Sequence, residues 1–271
     1  MKRNFSKAII KPMLDTLIHR GPDAEGFFEF PGYSCGARRL ILRDKYGGNQ
    51  PMVDSDFVLS LNGELFSYKE EYERFENLGI NIKTKSDTEL FLKGLKDEGE
   101  EFLKRIDAQF ALGFYNQTEH SLMLARDEFG ILPLFYTIVD GLLIYASEVK
   151  AILASGLVLF KLNPLAVDSF ITGLAARPKE SCFEGIHSLE PGHVLRGKGG
   201  RVKIEKLFKK NFNKIEIGTQ KFRKEQIYEK INQLEEIFIS SIIKRIDLDS
   251  KIALYLSGGV DSSLIAALTK K

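Results

Sequence analysis

The stretch that most restricts the architecture lies near the C-terminal end. Ile252-Ala253-Leu254-Tyr255-Leu256 is an unbroken apolar run, followed at once by Ser257-Gly258-Gly259-Val260-Asp261-Ser262-Ser263 and by the apolar series Leu264-Ile265-Ala266-Ala267-Leu268. A continuous apolar run of this length is the mark of a strand covered on both faces, as in parallel sheets. The following segment reads as a helix, and before the run Ile227, Ile231, Leu234, Phe238 and Ile242 recur every three or four residues. That spacing predicts a helix over 224–246 with one buried face. One strand and two helices cannot close a parallel sheet, so residues 224–271 are expected to be the first unit of an α/β domain whose remainder is absent from this sequence. Between the strand and its helix, glycines let the backbone turn tightly and present successive N–H groups, and the helix start adds partial positive charge. A phosphate or pyrophosphate suits such a loop. It is not a Walker A loop, because no Gly-Lys-Ser/Thr follows.

The first half of the chain has a different texture. Phe57–Leu61, Ala111–Tyr115, Ser121–Ala125 and Leu142–Ala146 read as short strands with turn residues between them, the pattern of antiparallel sheets. Glu89, Leu90, Leu92 and Leu95 before Glu98-Gly99 predict an amphipathic helix with a stop, and Leu14 and Leu17 before His19 predict another. The fold class is therefore α+β. A basic, Gly-interrupted stretch from 197 to 224 reads as a junction, giving a first domain over 1–200, a linker over 201–223 and the α/β start over 224–271. The 39 Lys and Arg against 37 Asp and Glu leave a net charge of +2, too small a field to gather nucleic acid or anionic lipid. Two cysteines, Cys35 and Cys182, are too few for a disulfide framework, and cytoplasm is the expected compartment. The apolar runs fall short of a membrane span, no signal-peptide core follows Met1, and no metal site is expected.

Five further motifs then fall in order: His19-Arg20-Gly21-Pro22-Asp23, Asn62-Gly63-Glu64-Leu65-Phe66, Ser86-Asp87-Thr88-Glu89, Arg126-Asp127-Glu128-Phe129-Gly130-Ile131-Leu132-Pro133, and Ala146-Ser147-Glu148-Val149-Lys150-Ala151. With the loop at 257–263 they resemble the glutamine-hydrolysing asparagine synthetases over residues 8–271. The resemblance implies a class II glutamine amidotransferase domain, a four-layer α-β-β-α sandwich of antiparallel sheets, followed by the first β-α unit of an ATP-pyrophosphatase synthetase domain. It implies that Arg39 grips the glutamine α-carboxylate and that Asp87, helped by Glu64, holds the α-ammonium. Asn62 through its side-chain amide and Gly63 through its N–H would form the oxyanion hole. Leu256, Ser257, Gly258, Gly259, Asp261 and Ser262 would contact ATP, used with Mg²⁺. In that mechanism glutamine is hydrolysed through a γ-glutamyl thioester, and the ammonia attacks an aspartyl adenylate to give asparagine, AMP and pyrophosphate. Glutamine, ATP and aspartate are the partners implied, and a homodimer is left open. His19 and Arg20 are read as walls of the site.

The chain also departs from that pattern. The family nucleophile is an N-terminal cysteine whose own amine acts as base, whereas position 2 here is Lys2. The His-Arg-Gly-Pro-Asp motif arrives so early that the opening Cys-Gly-Ile strand is expected to be missing. Cys35 and Cys182 are read as structural, and Ala37 stands where relatives carry a histidine. Neither glutamine hydrolysis nor adenylation is expected of this polypeptide by itself. Two other readings stay open: an amidotransferase of the same architecture with another carboxylate acceptor, for example in surface-sugar biosynthesis, and a non-catalytic remnant that binds glutamine or a partner.

Overall fold

A computed structural model describes residues 7–41, 44, 46–173, 179–208, 223–246 and 252–270. The chain divides into two compact units, residues 1–209 and 210–271. The first opens with helix α1 (Lys7–Asp15) and a 3-10 turn (Ile18–Arg20), then strands β1 (Ala24–Phe30), β2 (Tyr33–Arg39), β3 (Met52–Asp54) and β4 (Phe57–Leu65). Helices α2 (Tyr68–Asn77), α3 (Asp87–Glu98) and α4 (Glu100–Arg105) precede β5 (Ala108–Asn116), β6 (Ser121–Arg126), β7 (Phe135–Val139) and β8 (Leu142–Ala146). The unit continues with α5 (Val149–Ala154), α6 (Pro164–Gly173), β9 (His187–Ser188), β10 (His193–Lys198) and β11 (Arg201–Lys206).

Six strands form one sheet in the order β11-β10-β6-β5-β4-β3, and two smaller sheets, β1-β2 and β8-β7-β9, lie against it. All named strand pairings are antiparallel. Because successive side chains on a strand point to opposite faces, β4 and β5 sort their residues between two cores. Leu59, Leu61, Leu65, Phe110 and Leu112 meet Phe75, Phe91 and Phe102 from α2, α3 and α4. Val58, Ala111 and Tyr115 face the other way, onto the two smaller sheets. Behind those sheets Met13 of α1 and Ala151 and Ile152 of α5 pack on Ile144. The layer order is thus helices, six-stranded sheet, smaller sheets, helices. Gly94 in mid-α3 costs helix propensity, but a Cβ there would collide with the Phe102 ring.

Residues 201–206, expected in the linker, instead form β11, paired with β10 along its full length. Its burial alternates only weakly, with Val202 and Glu205 alone half-buried, as suits a lysine-rich edge strand. The second unit holds α7 (Lys224–Arg245) and α8 (Val260–Lys270). The helix over 224–246 is present, but its expected buried face is not: Ile227, Ile231 and Leu234 are about half exposed. The strand expected at 252–256 is also absent, for the described residues there have no regular structure and Tyr255 is fully exposed. A doubly covered strand needs neighbours to take its N–H and C=O groups, and no described strand pairs with this segment.

Candidate glutamine site

The His19–Asp23 motif clamps the end of β2. A Cβ on Gly21 would overlap the backbone of Arg38 and Arg39, so only glycine allows this approach. Asp23 N donates to Arg39 O at 3.1 Å, and Asp23 Oδ2 accepts from Ile41 N at 2.8 Å. Arg39 is thereby fixed where the strand ends, and its Nη2 donates to the Asp44 carbonyl at 2.7 Å. Across this loop, Asp87 opens α3, whose Ser86 side chain accepts from Thr88 N. A Cβ on Gly48 would collide with Arg39 Nη2 and lie 2.7 Å from Ser86 Oγ, so the arginine head and the start of α3 meet at this glycine.

Asn62, Gly63 and Glu64 follow one another near the end of β4, opposite Ala111, Phe110 and Gln109. Gln50, which carried no signal in the sequence, ties this strand to α3: its Oε1 accepts from Leu61 N at 2.7 Å and its Nε2 donates to Thr88 Oγ1 at 3.2 Å. A Cβ on Gly63 would sit 2.8 Å from the Gln109 carbonyl oxygen, which explains the glycine. Asn62 Nδ2 is buried and has no hydrogen-bond partner among the described residues. A buried donor without an acceptor costs about 1–3 kcal/mol, and a ligand carbonyl would relieve it.

Asn62 also lines a cavity of about 220 Å³ between the six-stranded sheet and the α1/α5 layer. Residues 33–38 of β2 and 142–146 of β8 line it without a gap. Since alternate side chains leave a strand on opposite faces, a cavity that touches every residue runs along the strand edge. Among the described residues β2 is joined by β1 and, at Arg39, by a bridge to Pro22, and β8 by β7, so the edges along 33–38 and 142–146 carry no further strand. Arg20 and Ala37 belong to the lining, whereas Arg39, Gly63, Glu64 and Asp87 lie outside it. Within the cavity wall, Tyr33 Oη and Tyr145 Oη are 2.8 Å apart, and Ser60 Oγ is 3.1 Å from Tyr145 Oη. Cys35 is 4% exposed, and burial pushes its thiol up to about 12. It is held as a neutral thiol at physiological pH, the opposite of an activated nucleophile.

At the same wall, Glu148 accepts from His19 Nε2 at 2.8 Å and from Arg20 Nη1 at 3.3 Å, joining two of the sequence motifs. Burial pushes the Glu148 carboxyl up, but the bonds from Lys150, His19 and Arg20 outweigh it and leave it below its ordinary value. The Arg126-Asp127 motif is scaffolding. Asp127 is 1% exposed and accepts from the N–H groups of Phe129, Ile131 and Leu132 at 3.0–3.2 Å. Arg126 donates to the carbonyls of Gly130, Leu132 and Leu189.

In the second unit, Gly258 has a φ of +83° and open space where a side chain would project. Ser257 Oγ lies 3.0 Å from Ser262 Oγ, and Ser263 N donates to Gly259 O, so the turn into α8 is formed locally. Leu256 is exposed. No group of three or more His, Cys, Asp or Glu side chains able to hold a metal occurs among the described residues. Nor is any described helix long and apolar enough to cross a membrane.

Antiparallel sheets stacked between two layers of helices are the architecture of a glutamine amidotransferase domain. The chain belongs to the glutamine amidotransferase domain family, whose model matches residues 1–208, and residues 233–271 match the asparagine synthase family. It is 29% identical over 266 residues to asparagine synthetase [glutamine-hydrolyzing] 1 of Bacillus subtilis, a match covering 97% of this chain and 41% of that protein. It is 31% identical over 260 residues to the amidase chyE of Penicillium rubens, covering 94% of this chain and 37% of that protein. The chain thus spans about two-fifths of the length of these relatives. Among solved structures, the glutamine phosphoribosylpyrophosphate amidotransferase of Bacillus subtilis superposes with a TM-score of 0.58 at 20% identity, covering 76% of this chain and 47% of that one. That likeness concerns the fold.

Proposed function

We propose that residues 7–208 are the glutamine-binding half of a cytoplasmic, ATP-dependent amide ligase of the asparagine synthetase type. In this reading Arg39 takes the α-carboxylate, Asp87 and Glu64 take the α-ammonium, and Asn62 Nδ2 with the Gly63 N–H takes the side-chain carbonyl. The observation that carries it is the buried Asn62 donor, which lacks an acceptor yet sits one residue from the Gln50 tie that reaches α3. Glutamine supplies that acceptor and also carries the two opposite charges that Arg39 and Asp87 match. The slot between β2 and β8 is where a strand bearing the nucleophile would run, since it is bounded by two edges that carry no further strand among the described residues and reaches Asn62. Cys35 cannot replace that nucleophile. Its thiol is buried and protonated and lacks a free amine beside it.

The Ser257–Ser263 loop fits the phosphates of ATP. It has a left-handed glycine, an open approach, two hydroxyls and the N–H groups that start α8. ATP, with Mg²⁺, would supply the activation of a carboxylate, while this chain's own residues would orient the pyrophosphate. A second reading keeps the same architecture with an acceptor other than aspartate; not every relative is named an asparagine synthetase, the Penicillium amidase being one that is not. AMP formation that requires aspartate, rather than another carboxylate, separates the two. The glutamine reading is tested by calorimetric titration of the 271-residue polypeptide, with glutamate measured in the same samples. Saturable uptake of L-glutamine without glutamate production is expected. Absence of uptake overturns the glutamine site, and glutamate production overturns the account of the nucleophile.

A further inference from the structure

Two acids outside the set assigned to glutamine, Glu89 and Asp44, brace the loops beside Arg39 and Asp87. Glu89 closes the Ser86-Asp87-Thr88-Glu89 motif and is 5% exposed. Its carboxylate accepts from Lys83 N at 3.0 Å, Thr84 N at 2.6 Å and Thr84 Oγ1 at 2.7 Å, which fixes the approach to α3. Asp44 holds the same approach from the opposite side. Its Oδ2 accepts from Lys85 N at 2.7 Å, and its Oδ1 accepts from Gly47 N at 2.8 Å and Tyr46 N at 3.2 Å. Its own carbonyl accepts from Arg39 Nη2 at 2.7 Å. One residue therefore ties the loop that aims the arginine to the loop that carries the aspartate.

We propose that Asp44 is a positioning residue for the amino-acid head of glutamine, setting the distance between the Arg39 guanidinium and the Asp87 carboxylate. The inference rests on the glutamine reading above. The head of glutamine places two opposite charges on one carbon, so a receptor for both must hold its own charges at a fixed separation, and charge-assisted bonds weaken quickly as geometry is lost. The described residues at 44, 46–48 and 83–86 lie in neither helix nor strand. The Asp44 carboxylate fixes them instead, from a backbone φ of +46° that Asp and Asn tolerate best among residues with side chains. Burial pushes this carboxyl up, but the N–H groups of Gly47, Lys85 and Tyr46 and the charge of Arg39 prevail, keeping it below the ordinary range. Gly48 completes the arrangement by letting Arg39 and Ser86 both approach the space that a Cβ would fill.

Asp44→Asn in the full chain separates this role from general stability. Asparagine keeps the left-handed backbone and an oxygen for Gly47 N, but it turns an NH₂ toward the Lys85 N–H, donor against donor. Hydrogen exchange at Lys85 is expected to speed up about tenfold. L-glutamine affinity is expected to fall about tenfold, or ~1.4 kcal/mol. Affinity for 4-aminobutanamide, which is glutamine without the α-carboxylate, should stay within about twofold of the parent. Gly48→Ala places a methyl against Arg39 Nη2 and Ser86 Oγ and should give the same selective loss while leaving the bonds of the Asp44 carboxylate in place. Equal losses for the two ligands, or unchanged glutamine affinity in both variants, overturn the positioning role. Unchanged Lys85 exchange in Asp44→Asn overturns the tie itself. A parent chain that takes up neither ligand overturns the glutamine reading, and the positioning role falls with it.

Discussion

Replacing Asn62 with alanine has two effects of opposite sign, and both follow from one unpartnered atom. In the unliganded protein Nδ2 is buried without an acceptor, a cost of about 1–3 kcal/mol that the substitution removes. Against this, Asn62→Ala loses the contacts of three heavy atoms at the cavity wall, roughly 1 kcal/mol by area. The variant should therefore be as stable as the parent or more stable by about 1–2 kcal/mol, unusual for a half-buried strand position, where most substitutions destabilise. Glutamine affinity should move the other way. A lost neutral hydrogen bond is worth about 0.5–1.5 kcal/mol, or roughly two- to twelvefold in Kd. Urea denaturation followed by circular dichroism gives the first quantity and calorimetric titration the second. A destabilisation of more than about 2 kcal/mol with unchanged glutamine affinity would refute the reasoning, because Asn62 would then be a structural amide with a partner in solution.

Three further outcomes are expected. Cys35, 4% exposed with its thiol pushed up to about 12, stays a neutral thiol below that pH, so iodoacetamide at pH 8 should modify the more accessible Cys182 first; equal rates would contradict the burial. Asp127→Ala strips an acceptor from three N–H groups at a site 1% exposed and should cost about 3–5 kcal/mol in chemical denaturation, and a cost under about 1 kcal/mol would remove its scaffolding role. Chymotrypsin should cut near the fully exposed Tyr255 before it cuts within residues 57–65 or 108–116, as mass spectrometry of a time course would show; the reverse order would contradict the contrast in burial between the two units.

How much of this was legible in the sequence depended on whether a residue's partner lay nearby in the chain. The strands around Leu59, Leu112, Leu124 and Ile144 showed themselves because each buries apolar side chains, and α3 because its Leu90, Leu92 and Leu95 face the core. β11 was hidden by its own chemistry: an edge strand carrying Arg201, Lys203 and Lys206 has the composition of a linker. The run at 252–256 misled in the other direction. Its apolar composition states what a covered strand requires, but whether it forms depends on neighbouring strands, and none pairs with it among the described residues. Arg39, Asn62 and Asp87 could be named from motifs, yet the bonds that position them could not. Asp44 works mostly through backbone N–H groups of Gly47 and Lys85, and Gln50 through Leu61 N, partners that no side-chain pattern reveals. The glycines at 21, 48 and 63 gain their meaning from atoms far away in the chain.

The central claim is that loop 44–50, β4 at 61–64 and the start of α3 together form one glutamine receptor. Titrating ¹⁵N-labelled 271-residue polypeptide with L-glutamine and following its backbone amides tests this most directly. The account predicts saturable shifts at Gly47, Gly48, Asn62, Gly63, Asp87 and Thr88, with a single dissociation constant, while amides of α7 and α8 stay still. Shifts gathered elsewhere in the chain, or none at glutamine concentrations up to tens of millimolar, would contradict it.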